Sequence, residues 1–349
     1  MTLIDIAGRQ VGPGQPCFII AEAGVNHNGR IELAMRLIDA AATAGVDAVK
    51  FQSFKAEILA TPAAPKAQYQ LSGTDESESQ MAMLQRLELS PGAHRELNDY
   101  ARACGIIFLS TPFDEISADL LAELGVPAFK ISSGDVTNLP LLEHIARKGK
   151  PVILSTGMSD LSEVRAAVTT LRAAGCEQLA VLHCVSNYPA NAADVNLRAM
   201  QKMTTEFEVP VGYSDHTDGI EVALAAVALG ACVIEKHFTL DRNLPGPDHK
   251  ASLEPDELAR MVESIRKVEA ALGDGRKVRA DSEADTMRVA RRSLMAARDI
   301  PAGTILTRGL IAIQRPGTGL SPALLPSLVG RRVCVDVSAG SLISFEMLE

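Results

Sequence analysis

The sequence lacks any uninterrupted apolar stretch near the ~20 residues that a bilayer-spanning helix needs, although 47% of its 349 residues are apolar. Its first residues, MTLIDIAGRQ, also lack the basic segment followed by an apolar one that marks a secretory signal. A membrane protein is therefore disfavoured. We expect a soluble chain that stays in the cytoplasm and has no membrane partner.

The sequence has no C-x-x-C pair among its six cysteines, and most of these lie within apolar runs. Cysteine in such a run behaves as a small hydrophobe rather than as a redox or metal-binding pair. A chain of this length is also no small disulfide scaffold. We therefore expect reduced thiols in the core, as in a cytoplasmic protein.

Positive charge is scarce as well, since 34 Lys and Arg residues face 43 Asp and Glu residues and leave a formal net charge of −9. A surface with this balance disfavours a nucleic-acid partner or an anionic membrane. An anionic substrate would have to be met by positive charge concentrated at one place.

What the sequence does contain is a repeated alternation of short Val- and Ile-rich runs with longer stretches of helical periodicity, which indicates βαβ units. The eight runs are CFIIA (17–21), VDAVKF (46–51), IIFLS (106–110), AFKIS (128–132), PVILS (151–155), LAVLHC (179–184), VPVGYS (209–214) and ACVIEKHF (231–238). A glycine ends most of the helical stretches, as at Gly45 and Gly105, where a left-handed residue stops a helix. No G-x-G-x-x-G follows the first run, which disfavours a dinucleotide-binding fold. The pattern predicts an α/β protein whose residues 1–272 form a closed (β/α)₈ TIM barrel.

Three stretches depart from this alternation. Residues 55–90, between the second and third runs, hold two prolines and an acidic cluster and predict a long loop, either a lid or disordered. Residues 273–289 are polar and charged and predict a linker. Residues 290–349 contain β-like pieces broken by turns and predict a small, mainly β domain that docks on the barrel or on a partner chain.

The active site of a (β/α)₈ barrel is built from side chains at the C-terminal ends of the strands. Here these ends carry polar, cationic and hydroxyl side chains in chain order: Glu22; Lys50 and Gln52; Ser110 and Thr111; Lys130, Ser132 and Ser133; Ser155 and Thr156; His183, Ser186, Asn187 and Tyr188; Ser214, Asp215 and His216; Glu235, Lys236 and His237. Lys50 and Lys130 interrupt otherwise apolar runs, where an ammonium group is costly unless an anion offsets its charge. Two lysines among hydroxyls predict a phosphate site, although any single serine could equally be a solvated residue.

His216 and His237 end adjacent predicted strands and would project into the same mouth of the barrel. Two neutral imidazoles could bind a divalent metal and leave coordination positions open for water and substrate, which suits catalysis. Asp248 is the carboxylate we expect at the substrate. His27 and His249 lie in loops rich in Gly, Asn and Asp, so they could equally belong to turns.

Seven strings make the chain resemble the sialic acid synthases, which condense phosphoenolpyruvate with an N-acetylated mannosamine. The strings are AEAGVNHNG, VKFQSFKAE, KISSGDVTNLPLL, VILSTGMS, GYSDHTDGIE, VIEKHFTLDRNLPGPDHKASLEPDEL and RPGTGLSP, and together they span nearly the whole chain in the family's order. The resemblance implies that residues 290–349 are an antifreeze-like (SAF) domain. In that family this domain covers the barrel mouth of the partner subunit in a domain-swapped homodimer.

The resemblance also assigns roles to individual residues. It implies that phosphoenolpyruvate is held by Lys50, Thr111, Lys130, Ser133, Ser155 and Ser214. It implies a Mn²⁺ or Mg²⁺ ion on His216 and His237, with Glu22 as the acid/base carboxylate. These two histidines, Glu22 and the two lysines would be the catalytic residues. The amino sugar would contact Ser186, Asn187, Tyr188, Asp248 and, from across the dimer, Arg315.

Two departures from the family pattern affect the sugar side. Ser186 stands where some members carry Asn, with Asn187 next to it, and a Phe that stacks in those members aligns near Val289 or Arg291. The main prediction is an N-acetylneuraminate synthase that joins phosphoenolpyruvate, N-acetylmannosamine and water into a nine-carbon 2-keto sugar acid and phosphate. The alternative is a legionaminic or pseudaminic acid synthase that uses a 6-deoxy diacetamido sugar.

Two rival classes remain. A pyruvate-dependent aldolase would form a Schiff base on Lys50 or Lys130. A carbohydrate- or ice-binding protein would rely on residues 290–349 and carry an inactive barrel, which leaves the charges inside the barrel strands without a purpose.

Overall fold

The computed structural model describes residues 3–71, 73–75 and 77–349. The chain divides into two compact units, Met1–Gly273 and Asp274–Glu349. The first unit opens with an antiparallel hairpin of two strands, β1 (Ile4–Ile6) and β2 (Arg9–Val11). The apolar side chains of this hairpin pack with an inner core layer of the barrel that follows.

Eight parallel strands form that barrel, and each overlaps one of the apolar runs in the sequence. They are β3 (Phe18–Gly24), β4 (Ala48–Ser53), β5 (Ile107–Pro112), β6 (Phe129–Ile131), β7 (Val152–Ser155), β8 (Leu179–Cys184), β9 (Val211–Asp215) and β10 (Val233–His237). Their order in the sheet is β5-β4-β3-β10-β9-β8-β7-β6, and β5 lies beside β6. The barrel is therefore nearly closed, and the predicted fold class is confirmed.

Twelve helices of the described chain belong to this unit. They are α1 (Ile31–Ala44), α2 (Ala56–Leu59), α3 (Gln68–Leu71), α4 (Gln80–Leu87), α5 (Pro91–Ala103), α6 (Glu115–Glu123), α7 (Leu139–Ala146), α8 (Leu161–Ala173), α9 (Ala192–Val195), α10 (Ala199–Phe207), α11 (Glu221–Ala228) and α12 (Pro255–Leu272). Helix α1 ends at Gly45, whose φ of 78° is the left-handed conformation that the sequence predicts there. The apolar faces of the longer helices pack on the outer side chains of the strands and form the main core.

The stretch 55–90, for which the sequence predicts a long loop that is either a lid or disordered, contains α2, α3 and α4, so the disordered alternative is wrong. The Ser79 hydroxyl caps α4 by accepting a hydrogen bond from Ala82 N at 3.2 Å. Met83 and Leu87 of α4 are buried in a small apolar cluster with Val25 and Phe54, which fixes this segment on the barrel. Ser72 and Glu76, which the sequence places in the loop, lie outside the described residues.

The second unit is built around its own apolar core. It contains α13 (Ala284–Ala290), the antiparallel strands β11 (Ser293–Ala296) and β12 (Ile311–Gln314), and α14 (Leu325–Leu328). Helix α13 overlaps the end of the stretch 273–289 that the sequence predicts as a linker. The polar stretch is therefore partly helical, in keeping with the good helix formers Ala, Met and Arg in ADTMRVA. The third β-like piece, residues 331–344, makes isolated β-bridges instead of a strand.

All six cysteines are free thiols, and four of them are buried, whereas Cys104 is half-buried and Cys334 is exposed. In the part of the chain that the structure describes, no helix combines the length and the apolarity that a bilayer span requires.

Candidate active site

Alternation along the barrel strands creates the floor of the site. Every second side chain of a strand points into the barrel, and the lower inward positions are apolar, for example Ile20, Leu109 and Val233. One inward position further toward the C-terminal ends, the strands carry polar side chains instead: Glu22, Lys50, Thr111, Lys130, Ser155, Ser214 and Glu235. This change from apolar to charged marks the bottom of a cavity at the barrel mouth.

That cavity has a volume of about 630 Å³ and is lined by every site residue that the sequence predicts within the barrel. These are Glu22, Lys50, Thr111, Lys130, Ser133, Ser155, Ser186, Asn187, Tyr188, Ser214, His216, His237 and Asp248. Arg315 belongs to the second unit, where its Nε donates a hydrogen bond to Ala290 O at 3.0 Å, and its predicted role stays a prediction. A second cavity of about 860 Å³ is lined by none of the predicted residues.

Two lysines and two glutamates lie together on the cavity floor. Lys50 Nζ is 2.7 Å from Glu22 Oε2 and donates a hydrogen bond to Thr111 Oγ1 at 2.9 Å. Lys130 Nζ is 3.4 Å from Glu235 Oε1, which is 3.9 Å from Lys50 Nζ. The buried lysines thus have carboxylate partners in the chain itself. This corrects the sequence argument that a bound anion is needed to offset their charge.

Glu235 is the residue of this group that the sequence analysis missed as a functional one. It is named there among the residues at strand ends, but it receives no role. The signal is the same as for the lysines, a charged side chain inside an apolar run, here ACVIEKHF. Its Oε1 also accepts a hydrogen bond from Ser214 Oγ at 3.2 Å, which ties a predicted ligand residue to the floor.

The two carboxylates have pKa values shifted in opposite directions. Burial raises the pKa of Glu22 to about 7, and the attraction of Lys50 offsets only part of this effect. Burial also acts on Glu235, but Lys130 and Lys50 outweigh it and hold the pKa of Glu235 below its usual value. Glu22 can therefore gain or lose a proton near neutral pH while Glu235 stays ionised, the arrangement expected of an acid/base carboxylate beside a charged one.

Serine hydroxyls that can bind a ligand lie around the cavity floor. The Ser155 hydroxyl is buried and has no hydrogen-bond partner among the described residues, although buried polar atoms are nearly always paired. Ser133 Oγ accepts a hydrogen bond from Gly157 N at 2.8 Å. Gly157 has no room for a side chain, because a Cβ there would overlap Ser186 Oγ and lie 3.1 Å from Ser133 Oγ. The backbone at Gly157 therefore packs closely against Ser133 and Ser186, while the hydroxyl of Ser155 stays available to a ligand.

The two predicted metal ligands are adjacent in the cavity. The ring centroids of His216 and His237 are 5.4 Å apart, and both rings are buried. His216 Nδ1 lies 2.8 Å from Val185 O, so this nitrogen carries a proton and Nε2 is left for a ligand. Within the described part of the chain His237 Nδ1 has no partner, and burial lowers the pKa of His237 so that its ring is neutral.

A divalent cation fits this donor set, because imidazole nitrogens are usual ligands of such ions and the buried Nδ1 of His237 has no partner among the described residues. Among the residues that the structure describes, no group of three or more His, Cys, Asp and Glu side chains could hold a metal ion. Such an ion would therefore have two protein ligands and several positions for water and substrate.

Aromatic and acidic side chains close the outer part of the cavity. The Tyr188 ring lies against His216 at a centroid distance of 4.1 Å and against Tyr69 of α3 at 4.7 Å. Burial raises the pKa of Asp248 to about 6. The sequence analysis missed Tyr69, since a helix of four residues gives no periodic signal.

His27 and His249 are not among the residues that line the cavity. His27 Nδ1 accepts a hydrogen bond from Gly29 N at 3.0 Å, and His249 Nδ1 lies 2.6 Å from Thr239 Oγ1. Burial lowers the pKa of His27 to about 3 and that of His249 to about 4, so both rings are neutral. They stabilise the loops in which they lie, the turn interpretation that the sequence leaves open.

Comparison with known proteins identifies both parts of the chain. The model of the NeuB family matches residues 37–277, and the model of the SAF domain matches residues 291–349. The N,N'-diacetyllegionaminic acid synthase of Legionella pneumophila is 49% identical over 97% of this chain and 96% of its own length. The enzyme of the same name from Campylobacter jejuni is 52% identical over 93% of this chain and 98% of its own. A crystal structure of N-acetylneuraminic acid (sialic acid) synthetase from Leptospira borgpetersenii superposes with a TM-score of 0.72 at 38% identity, covering 82% of this chain and 95% of that one.

Proposed function

Because the chain belongs to the NeuB family, we propose that it joins phosphoenolpyruvate to an N-acetylated amino sugar and releases phosphate. The similar proteins are sugar acid synthases, so the general function is that of a synthase of the sialic acid type. The pair of buried ammonium groups of Lys50 and Lys130 on the cavity floor, beside the unpartnered Ser155 hydroxyl, is the observation that carries the phosphoenolpyruvate part. Ammonium groups and hydroxyls are the usual protein ligands of a phosphate.

The acceptor that we propose is a 6-deoxy sugar with two acetamido groups, as in legionaminic acid synthesis. The names of the similar proteins support this alternative better than the N-acetylneuraminate synthase that the sequence analysis puts first. The outer cavity wall consists largely of apolar, aromatic and amide side chains: Val25, Leu59, Gln68, Tyr69, Gln70, Met83, Leu84, Leu87, Phe113 and Asn187. A methyl group and acetamido groups are suited to such a wall.

The charge distribution of the cavity supports the same choice. Among the described residues that line it, the lysines are Lys50 and Lys130, both on the floor, and arginine is absent. A phosphate at the far end of the sugar would therefore have no cation among the described residues that line this cavity, and burying it there is costly. We infer an acceptor that is uncharged at this end.

The reaction that we propose starts with attack of carbon 3 of phosphoenolpyruvate on the aldehyde carbon of the open-chain sugar. Lys50, Lys130 and the serines bind the phosphate and carboxylate oxygens and keep carbon 3 near the acceptor. Glu22, whose pKa lies near neutrality, first gives its proton to the alkoxide that forms from the aldehyde oxygen and then, as a carboxylate, takes a proton from the water that adds at carbon 2. The C–O bond of the resulting hemiketal phosphate then breaks, and the two ammonium groups neutralise the departing phosphate. His216 and His237 would hold a divalent cation, Mn²⁺ or Mg²⁺, which supplies Lewis-acid polarisation of the sugar carbonyl.

The test is phosphate release from phosphoenolpyruvate with three acceptors: 2,4-diacetamido-2,4,6-trideoxymannose, N-acetylmannosamine and N-acetylmannosamine 6-phosphate. We expect the first to give the highest kcat/KM, by at least about tenfold over the second, because a hydroxyl in place of a methyl group is poorly solvated by the apolar wall. K50M should abolish release. K55M, which removes an ion pair with Glu88 outside the cavity floor, is the matched control and should not.

Two results would contradict the proposal. Preference for the phosphorylated sugar would refute the uncharged acceptor. Borohydride trapping of pyruvate on Lys50 or Lys130, without phosphate release from phosphoenolpyruvate, would establish the aldolase instead. Oxygen-18 in the bridging C–O position of phosphoenolpyruvate should appear in the released phosphate, and its absence there would exclude C–O cleavage.

A further inference from the structure

An ion pair between Lys236 and Asp215 lies directly behind the two imidazoles. Lys236 Nζ is 2.7 Å from Asp215 Oδ2, and the two side chains are 1% and 0% exposed. They are register partners in β10 and β9, and each is next in sequence to one of the histidines. Since side chains alternate along a strand, His216 and His237 point into the cavity while the ion pair points toward the layer between barrel and helices.

The same two residues also fix the backbone beyond His216. Lys236 Nζ donates a hydrogen bond to Thr217 O at 2.5 Å. Asp215 Oδ1 accepts hydrogen bonds from Thr217 N at 2.9 Å and from Thr217 Oγ1 at 2.7 Å. The carbonyl of His216 itself accepts a hydrogen bond from Ala190 N at 2.8 Å. The backbone on both sides of His216 is therefore held by directional bonds.

Stability alone does not account for these two charges. The outward neighbours of the pair along the strands, Tyr213, Ile234 and Phe238, are buried members of the main core. Two charges taken out of water lose solvation that their mutual attraction often barely offsets, and apolar residues of similar volume frequently serve stability as well or better. What apolar residues would lack is the set of three hydrogen bonds to Thr217.

We propose that Asp215 and Lys236 are positioning residues for the metal, which hold the backbone of β9 and β10 so that the imidazoles of His216 and His237 meet on one divalent cation. The inference rests on the proposed function, because it takes these two histidines as the metal ligands. Neither Asp215 nor Lys236 lines the cavity, so both act through the histidines beside them.

The test is Mn²⁺ binding to the metal-free, full-length chain, measured by titration calorimetry and by the electron paramagnetic resonance spectrum of the bound ion. The variants are K236M, which leaves the Asp215 carboxylate unpaired, and D215N/K236M, which removes both charges. The double variant leaves no unpaired charge in the core and loses the Lys236 hydrogen bond to Thr217 O, so it should fold like the wild type but hold the backbone beyond His216 less firmly. In both variants we expect the dissociation constant to rise about 10- to 100-fold, the usual effect of losing a group that orients a metal ligand. The spectrum of the remaining bound Mn²⁺ should also change.

R266M is the matched control. It breaks an ion pair of Arg266 with Asp47, 3.2 Å apart, and Asp47 directly precedes β4 at the opposite end of the barrel. This variant should bind Mn²⁺ as the wild type does, even where its thermal stability is lower.

Four other outcomes would contradict the positioning role, the metal assignment or the proposed function. Wild-type affinity and an unchanged spectrum in D215N/K236M would overturn the positioning role and leave the proposed function intact. Loss of the native circular dichroism in that variant would show that the pair is structural and would also overturn the role. A wild-type chain that released phosphate from phosphoenolpyruvate but bound no Mn²⁺ would overturn the metal assignment and this inference with it. A chain that bound Mn²⁺ but released no phosphate would count against the proposed function alone.

Discussion

Binding of phosphoenolpyruvate should take up a proton from solution. On the cavity floor the charges of Lys50 and Lys130 are balanced by those of Glu22 and Glu235 before any ligand enters. Burial raises the pKa of Glu22 to about 7, so this carboxyl is close to accepting a proton. A highly charged anion placed beside it disfavours the carboxylate form and raises the pKa further.

The size of the effect follows from these values. With a pKa of about 7, Glu22 carries a proton in about one molecule in ten at pH 8. A rise of about one to two pKa units, which is typical of a nearby like charge, brings this fraction to about half to nine-tenths. Uptake is then roughly 0.4 to 0.8 protons per site. At pH 8 the phosphate ester is fully ionised, since its second pKa is about 6, and contributes none.

Titration calorimetry at pH 8 in buffers of different ionisation enthalpy measures this number as the slope of the binding enthalpy. E22Q should bind the ligand with a slope near zero, because an amide cannot take up the proton. E88Q, which breaks the ion pair between Glu88 and Lys55, should keep the wild-type slope. Because Glu22 and Glu235 interact, the slope measures proton uptake by the two coupled carboxyl groups together. A buffer-independent enthalpy in the wild-type chain, with binding intact, would refute the reasoning.

Three further predictions concern the site. G157A should raise the KM for phosphoenolpyruvate at least about tenfold, because its Cβ would crowd Ser133 Oγ at 3.1 Å and overlap Ser186 Oγ, whereas G92A, with no atom nearer than 3.7 Å, should not. Mn²⁺ at about 100 times its dissociation constant should raise the free energy of unfolding by about 2.7 kcal/mol in thermal unfolding, and H237A should lose this effect. If a partner subunit supplies Arg315, a mixture of the inactive variants K50M and R315A should recover roughly a quarter of the wild-type activity, and no recovery would place Arg315 at the site of its own chain.

The floor of the site was predictable because its signal is local. A lysine in VDAVKF or AFKIS is a charge within an apolar run, and alternation along a strand decides which way it points. Glu235 in ACVIEKHF carries the same signal. What no single run reveals is which charges become partners, because β4, β6 and β10 meet only in the closed barrel. The sequence therefore led to a bound anion as the counter-charge of the lysines, where the fold supplies carboxylates.

The outer wall was not predictable for a different reason. Helices α2 and α3 have four residues each, too short for an apolar period, and depend on tertiary packing for stability. Tyr69 thus reaches the cavity from a stretch that predicts a loop. Arg315 poses a further problem, since a residue of one unit can reach a site in another only through an arrangement of units that no local pattern encodes.

The balance of two lysines and two glutamates on the cavity floor also links ligand binding to proton transfer by Glu22. Lys50 lies 2.7 Å from Glu22 and lowers the pKa that burial raises. Under the proposed function, a phosphate that pairs with Lys50 removes part of this effect, so the pKa of Glu22 rises and its protonated form is favoured when the substrate is present. A cavity with unpaired lysines would bind the same anion without this change. The glutamate partners, which weaken the positive charge on the floor, thereby couple substrate binding to protonation of Glu22, the proton that the aldehyde oxygen needs.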